Sequence, residues 1–387
     1  TYWLFNFLRM GTGGLTAQAY GAGHHDETAA LLWRSLVLAL VIGLLLLLFQ
    51  QPIARLGFRL LAPGAAAAVP ARIYFNILIW GAPPMLTLFA LNGWLLGMQN
   101  ARYPMVVAIV QNVVNILVSL TLVVGLHWGI AGVAVGTLVA QWTGAALAFA
   151  LALRVLQRGR CHTTMRAVVR SLPAWMQLFA VNRDIFLRTL CLVSVMFAFT
   201  AFGTRQGETL LAVNALLMQL FLLVSYFMDG FAYAGEALGG RFLGEENVAA
   251  FRALVRRLFA WGGGVAVGFV LFFLVGSTTL IALLTDVEAV RMAAQPFLPY
   301  AIVIPLVSFS AFLFDGLFIG TTSTRAMLLT VFVASAAFFL LHHFLSPSLG
   351  NHALWCAFLL FLGLRGLVAA LFLPQLLRKI RKTTPQS

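Results

Sequence analysis

The chain alternates long apolar runs with short polar connections. The runs lie at about 1–20, 35–54, 72–97, 104–126, 128–153, 185–204, 208–238, 257–284, 295–320, 326–346 and 351–375. A helix needs about 20 apolar residues to cross the hydrocarbon core of a bilayer. Each run is therefore predicted to be a transmembrane helix, eleven in all, because a segment in lipid must satisfy its own backbone hydrogen bonds. The short polar-in alternation of an outer-membrane barrel is missing. So is the polar face that a helix lying on the membrane surface would keep.

Composition supports this reading. The chain is 61% hydrophobic and 9% charged, against a usual charged share of about 25% in soluble domains. The net charge of +14 does not point to nucleic acid, because the cations gather in the connections between runs. Arg34, Arg102, Arg154, Arg158, Arg160, Arg166, Arg170, Arg183, Arg241, Arg252, Arg256, Arg257, Arg325, Arg378, Lys379, Arg381 and Lys382 fall on one side; Arg55, Arg59, Arg72, Arg205 and Arg291 fall on the other. The richer side is expected to be cytoplasmic and to include the C-terminus. Cys161, Cys191 and Cys356 are far apart and form no metal or redox spacing.

Two halves repeat weakly. Gln18-Ala19-Tyr20-Gly21 aligns with Glu236-Ala237-Leu238-Gly239, Asn92-Gly93 through Gly97 with Asp315-Gly316 through Gly320, and Gly125-Leu126-His127 with Gly350-Asn351-His352. The offsets drift from 218 through 223 to 225. Collinear matches of this kind indicate duplication, and the unchanged sign of the loop charges makes it a parallel repeat. The expected organisation is an N-lobe over 1–153, a cytoplasmic linker over 154–184, a C-lobe over 185–375 and a basic cytoplasmic tail over 376–387. The repeat places the start of the first half about 34 residues before Thr1. The expectation is therefore a full protein of twelve helices, with the first helix and the start of the second missing here.

Charged residues inside the runs are the candidate chemistry. A charge at the bilayer centre costs at least about 2.5–3.5 kcal/mol, so such residues usually face a cavity or a pathway. Asp229, Glu236 and Asp315 are three of only eleven acids in the chain. Asp229 and Asp315 each lie about 20 residues into runs of the same direction, at similar depth. A buried carboxylate can take up a proton near neutral pH or coordinate Na⁺. The competing reading is a structural acid bonded to a helix end or an arginine. Arg9 lies in the first run, where it can pair with an acid or snorkel. Arg188 sits near the end of a run and is read as topogenic. Asn112, Asn115 and Ser119 share a helix face, as cavity lining or as interhelical hydrogen-bonding groups. Pro83 and Pro84 lie within one run and Pro305 at nearly the equivalent place in the other half, as hinges or as static kinks.

Enzyme signatures are missing. His24-His25-Asp26-Glu27 is not a zinc motif, and neither a Walker A sequence nor a G-x-S-x-G elbow occurs.

Longer motifs carry a family likeness. Phe7-Leu8-Arg9-Met10-Gly11-Thr12-Gly13-Gly14-Leu15-Thr16-Ala17-Gln18-Ala19-Tyr20-Gly21 resembles the second-helix signature of the multidrug and toxic compound extrusion (MATE) family, and within it the DinF branch. Asn182-Arg183-Asp184-Ile185, Asp229-Gly230-Phe231-Ala232-Tyr233-Ala234, Leu313-Phe314-Asp315-Gly316 and Gly350-Asn351-His352-Ala353-Leu354-Trp355 resemble that branch too. The resemblance implies an all-α, two-lobe exporter in a bacterial inner membrane, with no cofactor beyond a coupling H⁺ or Na⁺. It implies small amphipathic, often cationic substrates, exported by a monomer that alternates between outward- and inward-facing states. Residues matched to the family's polar sites are Asn115, followed by Ser119 where the family usually has an acid, and Thr137; Asn92 is the neutral mate of Asp315. The seventh-helix glutamate of the sodium-type branch has no match, which favours protons. The rival expectations are a lipid or lipid-linked sugar flippase, an intramembrane enzyme and a membrane scaffold.

Overall fold

The structure is a computed structural model that describes residues 2–61, 65–159, 168 and 171–382. Arg160, Cys161, Arg166 and Arg170 of the basic connection lie outside the described residues. The described residues are helical throughout, with no strand among them. The chain divides into two compact units, Thr1–Asn182 and Arg183–Ser387.

In the first unit a 3₁₀ turn, Tyr2–Asn6, leads into α1 (Phe7–Gly21), and α2 runs from His25 to Leu48. Next come α3 (Gln50–Leu61), α4 (Ala65–Leu78), α5 (Ala82–Gly97), α6 (Arg102–Leu120) and α7 (Gly129–Arg158). Helix α8 (Leu172–Thr204) begins in the first unit and continues into the second. The second unit goes on with α9 (Glu208–Gly244), α10 (Val248–Leu284), α11 (Glu288–Ala294), α12 (Leu298–Gly320), α13 (Thr324–Leu349), α14 (Asn351–Leu371) and the short α15 (Leu373–Lys382).

Ten stretches of helix among the described residues are long and apolar enough to span a bilayer. Ten of the eleven expected runs correspond to them. The eleventh is α1, which at 15 residues is too short by length alone. Helix α8 starts thirteen residues before the predicted run at 185, because Asn182, Arg183 and Asp184 continue the helix instead of ending a loop. Arg34, expected in a connection, lies inside α2. It is 2% exposed and its Nη1 donates to Glu27 Oε1 at 2.6 Å.

The backbone corrects the drifting repeat offset to a constant 223. Positive φ occurs at Gly23 and Glu246, at Gln99 and Thr322, and at His127 and Gly350, each pair 223 residues apart. Glycine contacts obey the same register. Helix α5 crosses α1 so closely that a side chain at Gly93 would run into the Arg9 carbonyl oxygen; α12 crosses α9 so that one at Gly316 would run into that of Ala232. One turn on, Gly97 and Gly320 lie against the backbones at Gly13 and Glu236. Small residues at a crossing let two backbones approach, which is how helices associate in lipid. The sequence offset of 218 for the first helix is thus five residues off: Asn6, not Gly11, is the mate of Asp229, and Gly13, not Gln18, is the mate of Glu236. Asn92 remains the mate of Asp315.

The three predicted hinge prolines sit in two settings. Pro83 and Pro84 occupy the first turn of α5, after a 3₁₀ turn at Ile79–Gly81. There the missing N–H costs nothing. Pro305 lies inside α12, where it removes a helical hydrogen bond.

Candidate functional site

Asp315 is the centre of a buried charge cluster in the second unit. It stands on α12, one residue before the Gly316 crossing, and is 8% exposed. Its Oδ2 accepts from Arg188 Nη2 of α8 and from Arg365 Nη2 of α14, the latter at 2.6 Å. Both arginines are 5% exposed. The Arg365 guanidinium also lies over the rings of Phe361 at 5.5 Å and Phe312 at 5.8 Å. Asp229 on α9 is half-buried and near enough for its charge to act on Arg365. Helices α8 and α14 thus supply two guanidiniums to one carboxylate, and α9 adds a second acid beside Arg365.

The structure supplies Asp315 with two arginine partners. Asp315 is bonded to two buried guanidiniums, and charge-assisted bonds of this kind are among the strongest a side chain makes. Asp315 organises the cluster. Asp229 is the half-exposed acid beside it. Arg188, read from the sequence as topogenic, is instead a core member, sixteen residues into its helix.

A second acid on α8 is buried as well. Asp184 is 4% exposed and accepts from Arg183 Nη2 at 2.9 Å and from Thr324 Oγ1 at 3.0 Å, tying α8 to the start of α13. Asn214 and Asn351 exchange reciprocal 2.9 Å hydrogen bonds, and Trp355 Nε1 also donates to Asn214 Oδ1 at 2.9 Å. Glu236 is 1% exposed beneath the Gly320 crossing.

The first unit repeats the crossing without the charge. Asn92 stands where Asp315 does, and its Oδ1 is buried with no hydrogen-bond partner among the described residues. Asn6 stands where Asp229 does and accepts from Arg9 Nε at 3.2 Å. Arg9 is 9% exposed. Asn115 accepts from Ser119 Oγ at 3.0 Å. Ser119 in turn faces Gly136 of α7, and Gln111, one turn before Asn115, faces Gly144. The polar face of α6 is thus Gln111, Asn115 and Ser119, packed against α7 glycines, while Asn112 is exposed. Thr137 Oγ1 bonds back to the Val133 carbonyl at 3.0 Å. The described bonds do not bring Asn115 and Thr137 to one point.

The model of the family described as MatE matches residues 1–121 and 185–346. That is most of the chain, with one stretch in each half. The chain belongs to the MATE family. MATE proteins are multidrug and toxin efflux transporters, not enzymes, and this one is a multi-pass membrane protein. Its similarity to DNA damage-inducible protein F of Escherichia coli (strain K12) is 38% identity over 370 residues, covering 95% of this chain and 80% of that protein. A probable multidrug resistance protein NorM of Synechococcus is 26% identical over 250 residues, 62% of this chain and about half, 52%, of that protein. Among solved structures, a MATE protein in a bent conformation superposes with a TM-score of 0.88 at 19% identity, over 98% of this chain and 85% of that one. The two-lobe MATE fold is therefore the fold of this chain.

Sequence reasoning missed Arg365 and Asp184 as site residues and misread Arg188. The signal for Arg365 was present: it is a lone cation within the apolar run 351–375. The rule that singled out the acids applies to cations equally.

Proposed function

We propose that this MATE protein exports amphipathic, cationic small molecules in exchange for protons, by alternating access across a bacterial inner membrane, with its C-terminus in the cytoplasm. The observation that carries the reading is that Asp315, bonded to two arginines, and Asp229 both act on the buried Arg365. Two arginines bond Asp315, and Asp229 is the half-buried acid whose charge also reaches Arg365. With Asp229 ionised, the two acids balance Arg188 and Arg365. Once protonated, Asp229 leaves the cluster one positive charge in excess, which disfavours a cationic substrate nearby. Proton and substrate then bias opposite states, which is what an exchanger requires. Asn92, Asn115, Thr137 and Arg9 are the proposed partners in the first lobe, Glu236 a further acid of the second, and Pro83, Pro84 and Pro305 the proposed hinges. A relative named as a probable multidrug resistance protein supports a small-molecule substrate.

The test is proton-driven efflux of a cationic dye from vesicles carrying the protein. Asp229→Asn is expected to abolish the dependence of efflux on the pH gradient while leaving thermal stability intact. Unchanged efflux and pH dependence in Asp229→Asn would sink the reading. A lipid or lipid-linked sugar flippase is the second reading, because related exporters share the architecture. It predicts transbilayer movement of a labelled lipid that persists without a proton gradient.

A further inference from the structure

Helices α9 and α10 form a hairpin within the second unit, and a groove of about 400 Å³ runs between them from the turn inward. Phe231, Ala234 and Leu238 line one wall; Leu254, Arg257 and Trp261 line the other. The volume falls in the range of about 300–1,000 Å³ that small-molecule sites occupy. Arg257 is the one charged residue of the lining.

The groove straddles a bilayer boundary. Each helix of the hairpin has 37 residues, whereas about 20 suffice to cross the hydrocarbon core. The turn end therefore projects from the core. Arg257 is the last charged residue before the uncharged stretch 258–284, so it marks the level of the lipid headgroups. Trp261, one turn further in, is 68% exposed, and tryptophan favours this interfacial depth.

Charge selects the occupant. Between Gly239 and Trp261 the hairpin carries the cations Arg241, Arg252, Arg256 and Arg257 and the acids Glu245 and Glu246. Arg241 and Glu245 pair at 2.6 Å. Arg252, Arg256 and Arg257 are exposed, and none makes a hydrogen bond or ion pair among the described residues. The 223-residue register shows that this excess is particular to the second unit. Gln18, Ala29 and Trp33 stand where Arg241, Arg252 and Arg256 do. Arg34, the mate of Arg257, is buried and paired with Glu27, whereas Arg257 has Ala250 at the place of that acid.

We propose that the α9–α10 groove binds one anionic phospholipid, with its phosphate at Arg257 and an acyl chain along Phe231, Leu258 and Trp261. A guanidinium suits a phosphate because it can donate two parallel hydrogen bonds to it. Arg252 and Arg256 add a positive field that favours a net negative headgroup over a zwitterionic one, as in other basic pockets between membrane helices. The apolar walls take the chain, which a free phosphate ion lacks. None of the lining residues belongs to the Asp315 cluster, and the inference is independent of what is transported.

The test is native mass spectrometry of the purified protein in detergent, titrated with phosphatidylglycerol and, in parallel, with phosphatidylethanolamine. One phosphatidylglycerol is expected to stay bound under conditions that strip phosphatidylethanolamine. Arg257→Gln should weaken that binding about fivefold, the usual worth of one cation at an anionic membrane surface. Arg257→Lys should retain most of it. Ala253→Trp fills the groove without changing its charge. Ala253 is exposed, so this variant should lose the lipid while keeping the wild-type melting temperature. Arg325→Gln, which removes an exposed cation on α13, should leave binding unchanged. Equal retention of the two lipids would overturn the proposal. So would an equal loss in Arg325→Gln, because diffuse surface charge would then suffice. Phosphatidylglycerol binding untouched by both Arg257→Gln and Ala253→Trp would place the lipid elsewhere and overturn it too.

Discussion

At the α1–α5 crossing the first repeat places Asn92; at the α9–α12 crossing the second places Asp315 with two arginines. The backbones around these residues match position for position at 223, down to the turns with positive φ and the glycines at each crossing. Packing has therefore been kept while charge has diverged. The partners explain how. Arg365 stands where the first repeat has the half-exposed Trp142, and Asp229 where it has Asn6. A buried acid is tolerated only with its counter-charges, so Asp315 goes with Arg188 and Arg365, and a neutral amide goes without them.

The largest expected effect separates the halves. Arg365→Met removes one partner from a buried carboxylate and should lower stability by about 3–5 kcal/mol. Trp142→Leu at the equivalent position should cost within about 0.5 kcal/mol, as surface changes do. Chemical denaturation in detergent compares the two, and equal losses would mean that the cluster contributes nothing specific.

The next effect should unite the halves. Gly93→Val and Gly316→Val each push a side chain into a facing backbone carbonyl. Overpacking of this kind costs about 1–3 kcal/mol. Similar drops in melting temperature are expected from both; a drop in only one would break the equivalence of the crossings. The smallest effect separates them again. Arg241 and Glu245 form an i,i+4 pair at 2.6 Å that Gln18 and Ala22 cannot make. Arg241→Ala should cost about 0.3–0.5 kcal/mol in the same assay, the smallest loss of the series.

Hydropathy alone was enough to find the ten membrane-length helices, though not their ends, because lipid leaves the backbone no alternative to bonding within each segment. The duplication, the family and the burial of Asp315 were legible for related reasons: a charge in an apolar run is costly wherever it sits, and motif order survives drift. The sequence by itself determined that this is a duplicated, all-helical membrane transporter of the MATE family with acids in its second half. Only the tertiary structure decided which cations meet Asp315. Arg188 and Arg365 lie 127 and 50 residues from Asp315 along the chain, and no local pattern records that three helices converge there. The repeat register was likewise settled by contact. An offset of 218 matches a few similar letters, but only 223 lets the glycines meet the facing carbonyls, because close backbone approach permits no side chain between them.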